Sequence, residues 1–100
     1  MSLIVAGTVR VPPENIARLR PIMVRMVDAT RAESGCLAYT YAEDVGEPGL
    51  IRVFELWTDQ DALDAHFATA HMAEWRAAFP GFGVSGRQLT AYEIASQRPL

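Results

Sequence analysis

The sequence predicts an α+β fold of ferredoxin-like order, β-α-β-β-α-β, whose four-stranded antiparallel sheet carries helices on one face. Three observations predict it. A β-branched run, Leu3 to Val11, halts at Pro12-Pro13 and gives way to apolar residues at helical spacing. Two strand-like runs then flank the turn Gly46-Glu47-Pro48-Gly49, as a hairpin would. A second helical region and a last strand-like run, Arg87 to Ala95, complete the order. One hundred residues make one domain, 1–100, with a core of about residues 3–93.

The elements follow in chain order. Strand one spans Leu3 to Val11, and the two prolines end it because they cannot donate to a ladder. Ile16, Leu19, Met23, Met26, Val27 and Thr30 recur at steps of three and four, with Arg18, Arg25 and Asp28 opposite. Pro21 should kink this amphipathic helix or move its start towards Arg20. Gly35 reads as a left-handed cap that stops it. Cys36 to Asp44 is strand two, with Leu37, Tyr39 and Tyr41 on one face and Ala38, Thr40 and Ala42 on the other. Leu50 to Trp57 is strand three. Thr58 is placed to cap a helix reaching about Ala68, with Asp59 and Asp61 in its first turn and Ala62, Leu63, His66 and Phe67 inward. Thr69 caps a further helix bearing Met72, Trp75 and Phe79, which Pro80-Gly81 should end. The tail, residues 96–100, reads as frayed.

Composition narrows the function classes. Half of the residues are hydrophobic and 21% are charged, with a net charge of -3. Nine arginines are scattered and lysine is absent, so no basic stripe for nucleic acid exists. No apolar run approaches the roughly 20 residues of a membrane helix. The N-terminus lacks the charged and apolar regions of a secretory leader. A single cysteine, Cys36, forms no intrachain disulfide and fits a reducing cytoplasm. A small monomer buries only roughly 60–65% of its unfolded surface. So apolar a chain, with both hairpin faces apolar, points to a second layer supplied by another copy packed sheet to sheet.

Several residues carry candidate chemistry. Glu55 and Trp57 share a strand face with Ile51 and Val53, where burial would raise a carboxyl pKa. Glu55 could then move a proton, although pairing with an arginine or a backbone donor is the plainer reading. Trp57 reads as a wall. His66 lies on the edge of the Leu63 and Phe67 stripe, and could serve as a general base or as a structural histidine. His71 is five positions on, about 140° around a helix, and no third ligand is clustered with the pair, so no metal site is expected. Tyr39 and Tyr41 offer phenolic donors, or simply suit a strand. Cys36 reads as core filling. The glycines at 81, 83 and 86 precede a strand, so no flavin or nicotinamide loop is present.

Glu33-Ser34-Gly35-Cys36-Leu37-Ala38-Tyr39, Glu55-Leu56-Trp57 and the run from Ala62 to His71 resemble the antibiotic biosynthesis monooxygenase domain family. The similarity spans about Leu3 to Glu93. It implies a homodimeric α/β barrel of two ferredoxin-like protomers joined through the open sheet face, with an apolar pocket between sheet and helices. It also implies oxidation of an aromatic phenol or quinol-like substrate by O2 without flavin, metal or haem. An electron-rich, deprotonated substrate can itself reduce oxygen, so the protein binds it, takes a proton and excludes water. Tyr39, Glu55, Trp57, His66 and His71 match motif positions. His66 is expected to transfer the proton or orient the substrate. Tyr39, Glu55, Trp57, Phe67, His71 and Trp75 are expected to contact it, with Phe54, Phe79 and Phe82 as further bulky candidates. Haem-degrading relatives use a strand-one asparagine, absent here, and an iron-ligating histidine where this chain has Glu74-Trp75-Arg76. Two other functions stay open, an isomerase of a small hydroxy-carbonyl compound and a non-catalytic, dimeric small-molecule-binding module.

Overall fold

In the computed structural model, which describes residues 1–100, strand β1 (Leu3–Arg10) leads through a 3-10 turn at Pro13–Asn15 into helix α1 (Ile16–Arg31). Strands β2 (Cys36–Glu43) and β3 (Leu50–Trp57) form the hairpin. Helices α2 (Gln60–Phe67) and α3 (Ala70–Phe82) follow, and strand β4 (Ser85–Glu93) closes the order. The four strands lie in the order β2-β3-β1-β4 and every neighbouring pair is antiparallel, which is the ferredoxin-like arrangement. No helix is long and apolar enough to cross a membrane.

The register sorts the side chains into two faces. Val5 pairs with Glu55, which pairs with Tyr39, and all three are buried on the face that meets the helices. Ile51, Val53 and Trp57 share that face, as expected, and are at most 3% exposed. Met23, Met26 and Leu19 of α1, with Met72 and Trp75 of α3, close the same core. On the opposite face Ala6 pairs with Phe54, and Phe54 with Thr40, while Ile4 pairs with Tyr92. Phe54 and Tyr92 are 42% and 54% exposed, so this face carries large apolar rings without a covering layer.

Local expectations change where packing overrides sequence pattern. Helix α1 starts at Ile16 and runs through Pro21, rather than starting near Arg20. Gly35 is not left-handed; its φ is negative, and its role is steric. A Cβ at Gly35 would stand 2.3 Å from the Ala62 Cβ, so only glycine lets the end of α1 approach α2. Leu37 leaves the face of Tyr39 and Tyr41 because the β2–β3 register shifts between Cys36 and Ala38, a bulge that exposes it. Asp59, not Thr58, caps α2, its carboxylate accepting from the Ala62 N–H at 2.8 Å. Thr69 caps α3 as expected, accepting from the Met72 N–H. Pro80-Gly81 does not stop α3, which continues to Phe82 and ends at Gly83, a left-handed residue with φ 69°. Phe67 turns out of the inner stripe of α2 and is 42% exposed, because a two-turn helix directs only Leu63 and His66 squarely inward.

Candidate active site

Three elements converge on one carboxylate. Glu33 follows α1, His66 lies in the last turn of α2, and His71 is in the first turn of α3. The helix break at Ala68-Thr69 is what brings the two histidines together, because they ride on separate helices and a single-helix rotation does not apply. Glu33 Oε2 lies 2.8 Å from His66 Nδ1 and 2.8 Å from His71 Nε2. Close approach at Gly35 and Ala62 places the carboxylate within that reach. On its other side, His66 Nε2 is 3.4 Å from the Tyr39 hydroxyl.

These contacts set the tautomers. A charged carboxylate accepts only, so His66 Nδ1–H and His71 Nε2–H donate to it. His66 Nε2 then carries the lone pair that accepts from Tyr39, and His71 Nδ1 keeps a lone pair without a partner in the chain. Burial lowers the pKa of His66, against the opposing pull of the Glu33 hydrogen bond and charge, and favours its neutral form. Burial pushes the Tyr39 and Tyr41 phenols up, so both stay protonated donors.

A second pair sits deeper. Trp57 Nε1 donates to Glu55 Oε1 at 2.9 Å, so the indole, rather than an arginine or a backbone group, is the partner of this acid. Burial raises the Glu55 carboxyl despite that hydrogen bond and the opposing charge of Arg87. The Trp57 and His66 rings lie 4.7 Å apart, which joins the two clusters. Burial also raises the Cys36 thiol, helped by the Glu33 and Glu55 charges, as befits packing rather than a nucleophile.

Access separates the expected residues. His66 and Trp57 are fully buried, and Tyr39 and Glu55 nearly so. Trp75 is buried too, at 2%, whereas His71 is part-exposed. His71 borders an open cleft of about 220 Å³ between α1 and α3, with Ile22, Met26, Ala29 and Trp75 as its apolar wall and Arg25 and Glu74 completing its lining. Phe79 packs on Trp75, whereas Phe54 lies on the opposite sheet face. A larger cleft of about 300 Å³ lies over Met23, Val27, Tyr41 and Ile51 and borders none of the expected contact residues.

Glu33 is the site residue that pattern reading passed over. Its signal was present, two positions before Gly35 in the first motif, but only the folded hairpin returns α2 and α3 to the end of α1. The expectation that no third ligand-type residue joins the histidines is corrected by the same carboxylate. The donor atoms of Glu33, His66 and His71 all lie within 4.8 Å of one another.

Comparison with known proteins gives this geometry a family. Residues 2–78 match the family described as antibiotic biosynthesis monooxygenase. A Bacillus subtilis protein named "Putative monooxygenase YcnE" is 30% identical over 87 residues, 87% of this chain and 84% of that one. An uncharacterised Synechocystis protein is 29% identical over 98 residues, covering 98% of this chain and 67% of its own. Among solved structures, a Deinococcus radiodurans protein titled a "putative antibiotic biosynthesis monooxygenase" superposes with a TM-score of 0.89 at 30% identity, covering 100% of this chain and 98% of that one. The chain belongs to the antibiotic biosynthesis monooxygenase family.

Proposed function

We propose that this chain is a cofactor-independent monooxygenase that oxidises a phenol- or quinol-like aromatic compound with O2, working as a homodimer joined through its open sheet face. The observation that carries this reading is the Glu33 carboxylate holding two imidazoles, one of which borders a cleft with an apolar wall. In the cleft a substrate ring would lie against Ile22 and Ala29, over the buried Trp75 and Met26, with its hydroxyl towards His71. Because Glu33 accepts from Nε2, His71 Nδ1 is the free base that takes the hydroxyl proton. Glu33 stabilises the imidazolium so formed, as a carboxylate orients and supports a catalytic histidine. His66 is fully buried and acts through Glu33, holding it in place from beneath. Tyr39, Glu55 and Trp57 in turn pack around His66 and fix its ring.

The phenolate is a stronger electron donor than the phenol and can pass electrons to O2 directly. One oxygen atom enters the ring, giving a quinone, and the other leaves as water. The apolar wall of Ile22, Met26 and Ala29 limits the water that would compete at the ring. The same base would also serve enolisation of a hydroxy-carbonyl compound, which needs no oxygen. Oxygen consumption by purified protein with a panel of quinols, naphthols and anthrols separates these outcomes. We expect protein-dependent uptake that is lost in His71→Ala. Turnover of a hydroxy-carbonyl compound without oxygen would replace this reading with an isomerase, and no turnover of either class would leave a binding module.

A further inference from the structure

We propose that Glu33, His66 and His71 also form a binding site for one zinc ion, or a similar divalent transition metal, per chain. Nothing in the proposed activity requires it; the geometry of the three side chains points to it. Two imidazole nitrogens and one carboxylate oxygen are a donor set that suits zinc and its neighbours rather than calcium or magnesium, which take oxygen ligands. His66 Nδ1 and His71 Nε2 already aim at Glu33 Oε2 from 2.8 Å each. All three donor atoms lie within 4.8 Å of one another.

Tetrahedral zinc at about 2.0–2.1 Å from each ligand needs donor atoms roughly 3.3 Å apart. Each 2.8 Å contact would therefore open by about 0.5 Å, and the edge between the two imidazole nitrogens, within 4.8 Å, would close by up to about 1.5 Å, as the ion displaces the two N–H protons. The residues that must move are the freer ones. Glu33 and His71 side chains are 16% and 20% exposed, while His66, at 0%, forms the fixed floor. That asymmetry gives the ion a route from solvent and leaves a fourth position open on the exposed side.

A second feature supports the set. Metal-bound histidines donate their other ring N–H to an outer acceptor, which fixes the ring. With Nδ1 on the ion, His66 Nε2 would carry the hydrogen, and the Tyr39 hydroxyl stands 3.4 Å away to receive it. The phenol has only to rotate from donor to acceptor. An ion here would occupy the groups that the proposed base depends on, so the metal-bound form would be the inhibited one.

The test reads binding rather than turnover, so it stands apart from the proposed activity. Metal-stripped protein is titrated with Zn2+ against a chromophoric chelator, and Co2+ is added separately to report coordination by its visible absorption. We expect one ion per chain and the intense bands of four-coordinate Co2+. Glu33→Gln and His71→Ala should each weaken binding at least tenfold, since even outer-shell changes cost roughly 10–100-fold. Circular dichroism confirms that both variants are folded; if His71→Ala is not, His71→Gln replaces it. Asp61→Asn, on the acidic rim that also borders Glu33, should bind as the parent does. Absence of binding, or undiminished binding in Glu33→Gln or in the folded His71 variant, would overturn the proposal.

Discussion

Glu33 and His66 show how one buried contact links stability to pH. Burial depresses the His66 pKa below its ordinary 6.5, so the folded chain holds this ring neutral while the unfolded chain protonates it first. Its contribution to stability is therefore present above 6.5 and is lost as pH falls through the lower, folded value. Glu55 acts in the opposite sense. Its carboxyl is raised above 4.5, so its contribution is present below that value and is lost as pH rises through the folded one. Urea unfolding followed downward from neutrality through 6.5 should show stability falling, and His66→Gln should flatten that slope. An unchanged slope in the variant would mean that another group governs the transition. The indole of Trp57, bonded to Glu55, explains how the fold keeps a carboxylate beneath its helices without an arginine in contact.

Elements matter to the site through the place where α1 ends and α2 begins. Gly35 lets the two meet, and Ala62 is the atom it makes room for. Gly35→Ala should destabilise the chain by roughly 1–3 kcal/mol through overpacking, and loosen the Glu33–His66 contact with it. Adding Ala62→Gly should restore part of that loss, because it removes the atom that the new methyl strikes. Urea midpoints of the two variants read this directly, and no recovery in the double variant would refute the packing argument. The same junction marks how far the sequence was legible. Strand β3, the α1 stripe and the Thr69 cap follow from periodicity and local hydrogen bonding, and the structure keeps them. Gly35 and Gly83 trade the roles expected of Gly35 and Pro80-Gly81, because close approach and backbone handedness look alike in a sequence. Glu33 escaped notice for a related reason. A carboxylate at a helix end reads as solvated until tertiary structure sets two imidazoles against it.

At the scale of the molecule, the sheet is covered by helices on one face and carries Phe54 and Tyr92 half-exposed on the other. Burial of such rings is worth roughly 25 cal/mol per Å² of apolar surface, which favours a second copy on that face. If the parent pairs through this face as proposed, Phe54→Glu should yield a monomer in sedimentation equilibrium that keeps its circular dichroism. A parent already monomeric would remove the open face as the interface. The cleft beside His71 lies on the helical side, so a monomeric variant would also tell whether the partner contributes to turnover. The central claim, that a carboxylate-held histidine activates an aromatic substrate for direct reaction with O2, has one decisive measurement. It is the rate of oxygen uptake by metal-stripped protein with a saturating quinol, compared between the parent and Glu33→Gln. Uptake is expected in the parent, with a fall in kcat on the order of 10²–10⁴ in the variant, the usual contribution of general acid–base catalysis, and KM little changed. Equal rates in the two proteins would contradict the claim.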